Sequence, residues 1–225
     1  PHGGPWDHDA GTFDYWAQFL AARGMAVLQP NFRGSTGQGQ QHLQAGFQQW
    51  GRAMQNDVMD GLDWLVSAGV ADPERVCVMG GSYGGYVALV ASYRDAARIR
   101  CAIAFAGVTD LDDLVEDQSA YQFGALGSAR IQSPDLRAAA SPLRNVARIS
   151  VPVLIIHGRE DRVVKIEQSR DLIAAMRGAD RPVTYIEQAQ GDHHLSRQAD
   201  RLQFLESADA FLSEHLELAA PEAQP

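Results

Sequence analysis

Gly80-Gly81-Ser82-Tyr83-Gly84-Gly85-Tyr86, GGSYGGY, follows the apolar run Arg75–Met79 and precedes a helical pattern over Tyr86–Ser92. Ser82 therefore falls in a tight turn between a strand and a helix, the setting in which G-x-S-x-G lifts a serine oxygen clear of a sheet. The glycines have a steric reason, because a serine in strained backbone geometry needs neighbours without a Cβ where strand and helix crowd together. Glycine-rich strand-to-helix turns also cradle phosphate, so the motif by itself leaves two chemistries open. The decision rests on whether the chain supplies a base, an acid and an oxyanion hole in the right places.

Outward from this turn, short apolar runs alternate with helical patterns. Thr12–Arg23 reads as a helix with Thr12 as N-cap, Met25–Gln29 as a buried strand, and Pro30–Gly39 as a loop. A helix over Asp57–Ala68 is capped by Asn56. After the elbow come strand Cys101–Ala106, a weakly patterned stretch Gly107–Ser150 read as short helices and loops, and strand Val151–His157. Helix Lys165–Arg177, strand Val183–Glu187 and helix Arg197–Leu216 complete the order. Runs without polar alternation suit parallel strands covered on both faces. The expected fold class is α/β, with a mostly parallel sheet, helices on both faces and ligands beyond the carboxyl ends of the strands. One domain over residues 1–218 and a disordered tail over 219–225 are expected.

Composition narrows the functional classes. The 225 residues are 45% hydrophobic and 21% charged, with a net charge of -9. That balance opposes a nucleic-acid or anionic-membrane surface, and no apolar run approaches the roughly 20 residues of a membrane helix. Cys77 and Cys101 lie in neighbouring apolar runs and read as small core residues, without a disulfide framework. The chain opens at Pro1 without an initiator methionine, which reads as a fragment lacking the early strands of its sheet; compartment and oligomeric state stay open, a homo-oligomer included.

A serine nucleophile needs a histidine to take its proton and an acid to fix that histidine's tautomer, in the chain order Ser, Asp, His for this architecture. Asp161 lies four residues after His157, at the end of the clearest strand, with Gly158 allowing a turn between them. Asp110, after the preceding strand, is its rival. His193 and His194 share the loop between the last strand and last helix, and spacing alone does not choose between them. His157 reads as a structural strand-end residue and His215 as a surface residue. Adjacent histidines lack the i, i+4 geometry of a metal pair and no cysteine is near, so neither a metal nor a cofactor is expected. Two oxyanion donors are required: the Tyr83 backbone N–H, directly after the nucleophile, and Gly4 in the glycine-rich opening loop.

The ordered set HGGP (2–5), NFRGSTGQG (31–39), GGSYGGY (80–86), HGREDRVV (157–164) and GDHHLS (191–196) resembles the catalytic domain of the prolyl oligopeptidase family of serine peptidases, nearer its acylaminoacyl-peptidase and dipeptidyl-peptidase-like branch. The resemblance implies an α/β-hydrolase fold, N-terminally truncated here, with Ser82 as nucleophile, Asp161 as acid and a GDHHLS histidine as base. In relatives a bulky apolar residue follows the base by two positions, which matches His193 with Leu195. Some relatives place a tyrosine hydroxyl in the oxyanion hole where this chain has His2, which leaves Gly4 as the backbone donor. The family's side-chain pocket maps onto Tyr83, Val108, Leu111, Leu114 and Val164. Short peptide substrates and an N-terminal β-propeller in the full-length chain follow from the same resemblance. A carboxylesterase on this fold and a catalytically silent interaction module are the rival expectations.

Overall fold

The computed structural model describes residues 1–119 and 124–218; the expected tail over 219–225 lies outside them. Four strands form a parallel sheet in the order β1 (Cys77–Gly81), β2 (Cys101–Phe105), β3 (Val153–Gly158) and β4 (Val183–Gln188). Cys77 pairs in register with Cys101, Ala102 with Val153, and Val153 with Val183. Because every strand runs the same way, the segments leaving β1, β3 and β4 emerge on one edge of the sheet. That edge carries Ser82, Asp161 and His193.

Strands β2 and β3 are buried at every position, and their alternate residues enter two separate cores. Ala102, Ala104, Val153 and Ile155 face α3 (Ala53–Ser67), α4 (Tyr83–Arg94) and α8 (Ile166–Gly178) through Val58, Val87, Leu172 and Ile173. Cys101, Ile103, Phe105, Leu154 and Ile156 face α1 (Tyr15–Ala22) and α9 (Gln198–His215) through Trp16, Phe204, Ala208 and Leu212. This two-sided burial explains the absence of polar alternation in the sequence. Truncating a fully buried member such as Ile155 to Ala should cost about 2–5 kcal/mol through lost burial and the cavity left behind.

Several expectations shift. Helix α1 starts at Tyr15 because Asp14, not Thr12, supplies the N-cap, its Oδ1 accepting the Ala17 N–H at 2.7 Å. A short α2 (Gln40–Ala45) precedes α3, which begins at Ala53, so Asn56 lies inside the first turn of α3 and bonds Arg94 instead of capping. Met25–Gln29 forms no ladder. Nor is it the buried segment expected: Ala26, Val27 and Gln29 are exposed and Met25 and Leu28 half-buried, and together with Val76 and Val78 it lines a groove of about 360 Å³. The stretch after β2 holds α5 (Leu111–Ser119), α6 (Gly124–Ile131), α7 (Pro134–Ala140) and a 3-10 turn over Pro142–Arg148. Cys77 and Cys101 are corrected as well. Their register places the two Cα atoms 4.7 Å apart on directly paired strands, and the sulfurs are joined as a disulfide.

Candidate active site

At the end of β1 the chain turns sharply into α4. Ser82 takes φ 56° and ψ -118°, a conformation that costs a non-glycine residue free energy and persists where its surroundings over-determine it. The surroundings are explicit: the Ser82 N–H donates to the Phe105 carbonyl at 2.9 Å, and its own carbonyl accepts from Tyr86 at 3.0 Å. A Cβ on Gly80 would lie 2.5 Å from the Gly84 carbonyl carbon, and one on Gly84 would lie 2.2 Å from the Pro1 carbonyl oxygen. Glycine at these positions allows strand, helix and opening loop to meet at the serine.

The opening loop packs directly on this turn, since a Cβ at Gly3 would lie 3.5 Å from that of Ser82. Gly4 holds φ 116°, in the left-handed region. The His2 ring stacks on Phe32 at 4.4 Å, its Nδ1 lies 2.7 Å from the Gly3 carbonyl and its Nε2 lies 2.8 Å from Ser35 Oγ. Burial lowers the His2 pKa, so the ring is neutral, donating from Nδ1 to Gly3 and accepting from Ser35. Both ring nitrogens are occupied within the loop. The Tyr83 N–H belongs to the first turn of α4, where no intrahelical carbonyl is available to it. Its side chain turns the other way, into a cluster with Phe32, Trp50 and Tyr86, its hydroxyl 3.5 Å from the Met54 sulfur. Val108, Leu111, Leu114 and Val164 are buried in the same core.

Asp161 sits in the turn after β3 with its side chain closed to solvent. Oδ1 accepts the Val163 and Val164 N–H groups at 2.8 and 2.9 Å, and Oδ2 lies 2.7 Å from His193 Nδ1. Burial pushes this carboxyl's pKa up, but hydrogen bonds from His157 and His193 outweigh burial and hold it well below the usual carboxylate range. Asp161 is therefore an anion, and His193 presents Nδ1–H to it, which leaves Nε2 as the acceptor nitrogen.

The adjacent histidines diverge. Asp192 Oδ1 accepts the N–H groups of His194 and Ser196, both at 3.0 Å, folding the loop on itself. Leu195, with φ 50° and 2% exposure, buries its side chain among Phe204 and Ile156 and pins the loop to the sheet. His193 is consequently half-buried against Asp161, whereas His194 faces solvent. Asp110, the rival acid, is committed elsewhere: Arg144 Nε lies 2.8 Å from its Oδ2, and its Oδ1 accepts the Asp112 N–H at the start of α5. Among the described residues, no group of three or more His, Cys, Asp or Glu side chains could hold a metal ion.

Two contacts were not read from the motifs, that of Gly158 with Gly191 and that of His157 with Asp161. Gly158 and Gly191 bring the acid and base loops together, the Glu160 N–H donating to the Gly191 carbonyl at 2.9 Å. His157, fully buried, also faces Asp161; the i, i+4 spacing of the two residues was the available signal.

Known proteins share this arrangement of chain. A dipeptidyl aminopeptidase BIII of Pseudoxanthomonas mexicana is 33% identical over 223 residues, covering 96% of this chain and 32% of that protein. The acylamino-acid-releasing enzyme of Rattus norvegicus is 28% identical, covering 96% and 31%. A solved puromycin-hydrolyzing peptidase of Mycobacterium tuberculosis superposes with a TM-score of 0.90 at 28% identity, covering 100% of this chain and 34% of that one. The chain thus spans about a third of the length of these relatives. Its sheet and helices are those of α/β-hydrolase peptidases. The family model described as the prolyl oligopeptidase family matches residues 11–219, and the chain belongs to that family.

Proposed function

We propose that this domain is the catalytic part of a serine peptidase that hydrolyses short oligopeptides through an acyl-enzyme on Ser82. The observation that carries the reading is the 2.7 Å His193–Asp161 contact, formed on the sheet edge where the strained Ser82 turn stands. Ser82 Oγ attacks the scissile carbonyl while His193 Nε2 takes its proton, and Asp161 holds the imidazole in the required tautomer and stabilises the imidazolium. The tetrahedral oxyanion is met by the backbone N–H groups of Tyr83 and Gly4. His193 then protonates the leaving amine, and water attacks the acyl-enzyme by the reverse proton path. Val108, Leu111, Leu114 and Val164 form the apolar floor beneath the residue preceding the cut bond. The relatives named above are a dipeptidyl aminopeptidase, an acylamino-acid-releasing enzyme and a puromycin-hydrolyzing peptidase, all consistent with small substrates. In the full-length protein an N-terminal β-propeller would restrict entry to such peptides, in keeping with the third of each relative that this chain spans.

The test is labelling of the full-length protein by a serine-directed phosphonate, followed by turnover of short peptide amides and of simple acyl esters. Labelling and amide turnover, both lost in Ser82→Ala, are expected. Labelling that survives Ser82→Ala removes the nucleophile assignment, and turnover of esters alone replaces the peptidase with an esterase.

A further inference from the structure

His157 is the last side chain of β3 before Gly158, and its ring is completely enclosed. Nε2 lies 3.0 Å from the Val164 carbonyl oxygen and 3.2 Å from Asp161 Oδ2. Both neighbours are acceptors only, so Nε2 must carry the hydrogen. Nδ1 lies 2.7 Å from Ser169 Oγ, on the first turns of α8, and takes that hydroxyl's proton as its hydrogen bond. An Nε2–H directed at Val164 and Asp161, with Nδ1 paired to Ser169 Oγ, uses both nitrogens of the buried ring. The Nε2–H hydrogen bond goes to the Val164 carbonyl, and the same N–H lies against Asp161 Oδ2 at 3.2 Å, within electrostatic reach.

We propose that His157 is a positioning residue for catalysis. Its Nε2–H fixes the Asp161 carboxylate so that Oδ2 is aimed at His193, and Ser169 locks the tautomer that makes this possible. Oδ1 is already held by the Val163 and Val164 N–H groups, which anchors one end of the rigid carboxylate, and a donor against Oδ2 restrains the pivot of the whole group about that end. His157 supplies that donor from the sheet side, opposite His193. Among the described residues, the titratable groups in contact with the carboxylate are these two histidines, one from β3 and one from the loop after β4, and the His194 ring stands edge-on to that of His193 at 5.4 Å. Sharing Oδ2 between two donors also moderates how strongly it stabilises a protonated His193.

The proposal rests on the peptidase reading, and Ser82→Ala labelling in the full-length protein tests that reading separately. With labelling established, His157→Leu and His157→Gln are compared by pH profiles of kcat/KM and by kcat and KM at the optimum. His157→Leu should lower kcat by about 10- to 100-fold, the usual scale for residues that orient a reacting group's ligand, with KM little changed. Its acid limb should move to higher pH, because an Asp161 relieved of one donor stabilises the imidazolium more. His157→Gln retains an amide N–H and should recover most of the loss. Equal losses in both variants with an unmoved acid limb would assign His157 to packing alone and overturn the proposal. If His157→Leu does not fold, Ser169→Ala serves in its place: it leaves the ring present but without its tautomer lock, and a smaller kcat loss with the same upward shift is expected. A Ser169→Ala profile superimposable on wild type overturns the proposal.

Discussion

Gly158 and Gly191 approach so closely that a Cβ on Gly158 would sit 2.2 Å from the Gly191 carbonyl oxygen. That contact joins the turn bearing Asp161 to the loop bearing His193, and the Arg159 N–H donates to the Gln188 carbonyl beside it at 2.9 Å. The distance between Asp161 and His193 is therefore set by backbone against backbone. Gly158→Ala forces the two loops apart. A displacement of about 1 Å at a catalytic group can cost about 100-fold in rate, and overpacking costs about 1–3 kcal/mol. Steady-state kinetics and thermal unfolding should record both losses; unchanged kcat would mean that the loops relax without moving the pair.

The adjacent histidines should separate cleanly on mutation. His193 contacts Asp161, while His194 faces solvent, its backbone N–H bonded to Asp192 and its ring edge-on to His193 with 5.4 Å between centroids. His193→Ala should lower kcat by on the order of 10⁶-fold, the scale for loss of a triad base. His194→Ala should stay within a few-fold of wild type. Peptide-amide turnover by the two purified variants is the measurement, and the reverse ranking would transfer the base to His194.

How far the chain itself announced these features depends on what each one required. The placement of Ser82 and Asp161 just after strands was legible because position after a strand is a local property. The choice between His193 and His194 was not, since it turns on Leu195 finding a buried site and on Asp192 folding the loop, which are tertiary facts. Met25–Gln29 reads as a buried strand from apolar composition alone, but composition does not supply a pairing partner, and the segment lies unpaired with Ala26, Val27 and Gln29 exposed. The Cys77–Cys101 bond was hidden for a related reason: strand register is invisible when neither strand carries alternation.

That pair makes its own prediction. Denatured without reductant, the protein should take up no iodoacetamide; after reduction it should take up two equivalents, one per cysteine. The bond closes a loop with a sequence separation of 24, worth about 3 kcal/mol in chain-entropy terms. Reductant should lower the denaturant midpoint accordingly. Two adducts before reduction would show the thiols free.

Acid should weaken the fold through identifiable carboxylates. Hydrogen bonds from Arg170 pull the Glu187 pKa from 4.5 down to about 2 against an opposing burial effect, with Arg159 and Tyr185 adding to the pull. Asp161 is depressed in the same direction by His157 and His193. A depressed folded-state pKa means the unfolded chain binds the proton first as pH drops. The stabilisation is whole above the unfolded value and lost as pH falls through the folded one. Thermal midpoints should decline between about pH 4.5 and about pH 2, less steeply in Glu187→Gln. Parallel slopes in the two proteins would remove Glu187 from the acid response.

The opening loop is positioned by a contact that a methyl group can break. A Cβ on Gly84 would meet the Pro1 carbonyl oxygen at 2.2 Å and the His2 carbonyl oxygen at 3.2 Å, so Gly84→Ala must push the loop off the first turn of α4. Ser82 and His193 lie outside that clash and keep their own tethers, Ser82 to Phe105 and His193 to Asp161. If Gly4 is the second oxyanion donor, its N–H moves away from the Tyr83 N–H and one donor is lost. Losing one such donor costs about 2.7–4 kcal/mol, or 100- to 1,000-fold in kcat. Phosphonate labelling should still reach one equivalent at a slower rate, because nucleophile and base remain in place. Wild-type kcat in a folded Gly84→Ala variant would take the opening loop out of the oxyanion hole and leave the Tyr83 N–H needing a different partner.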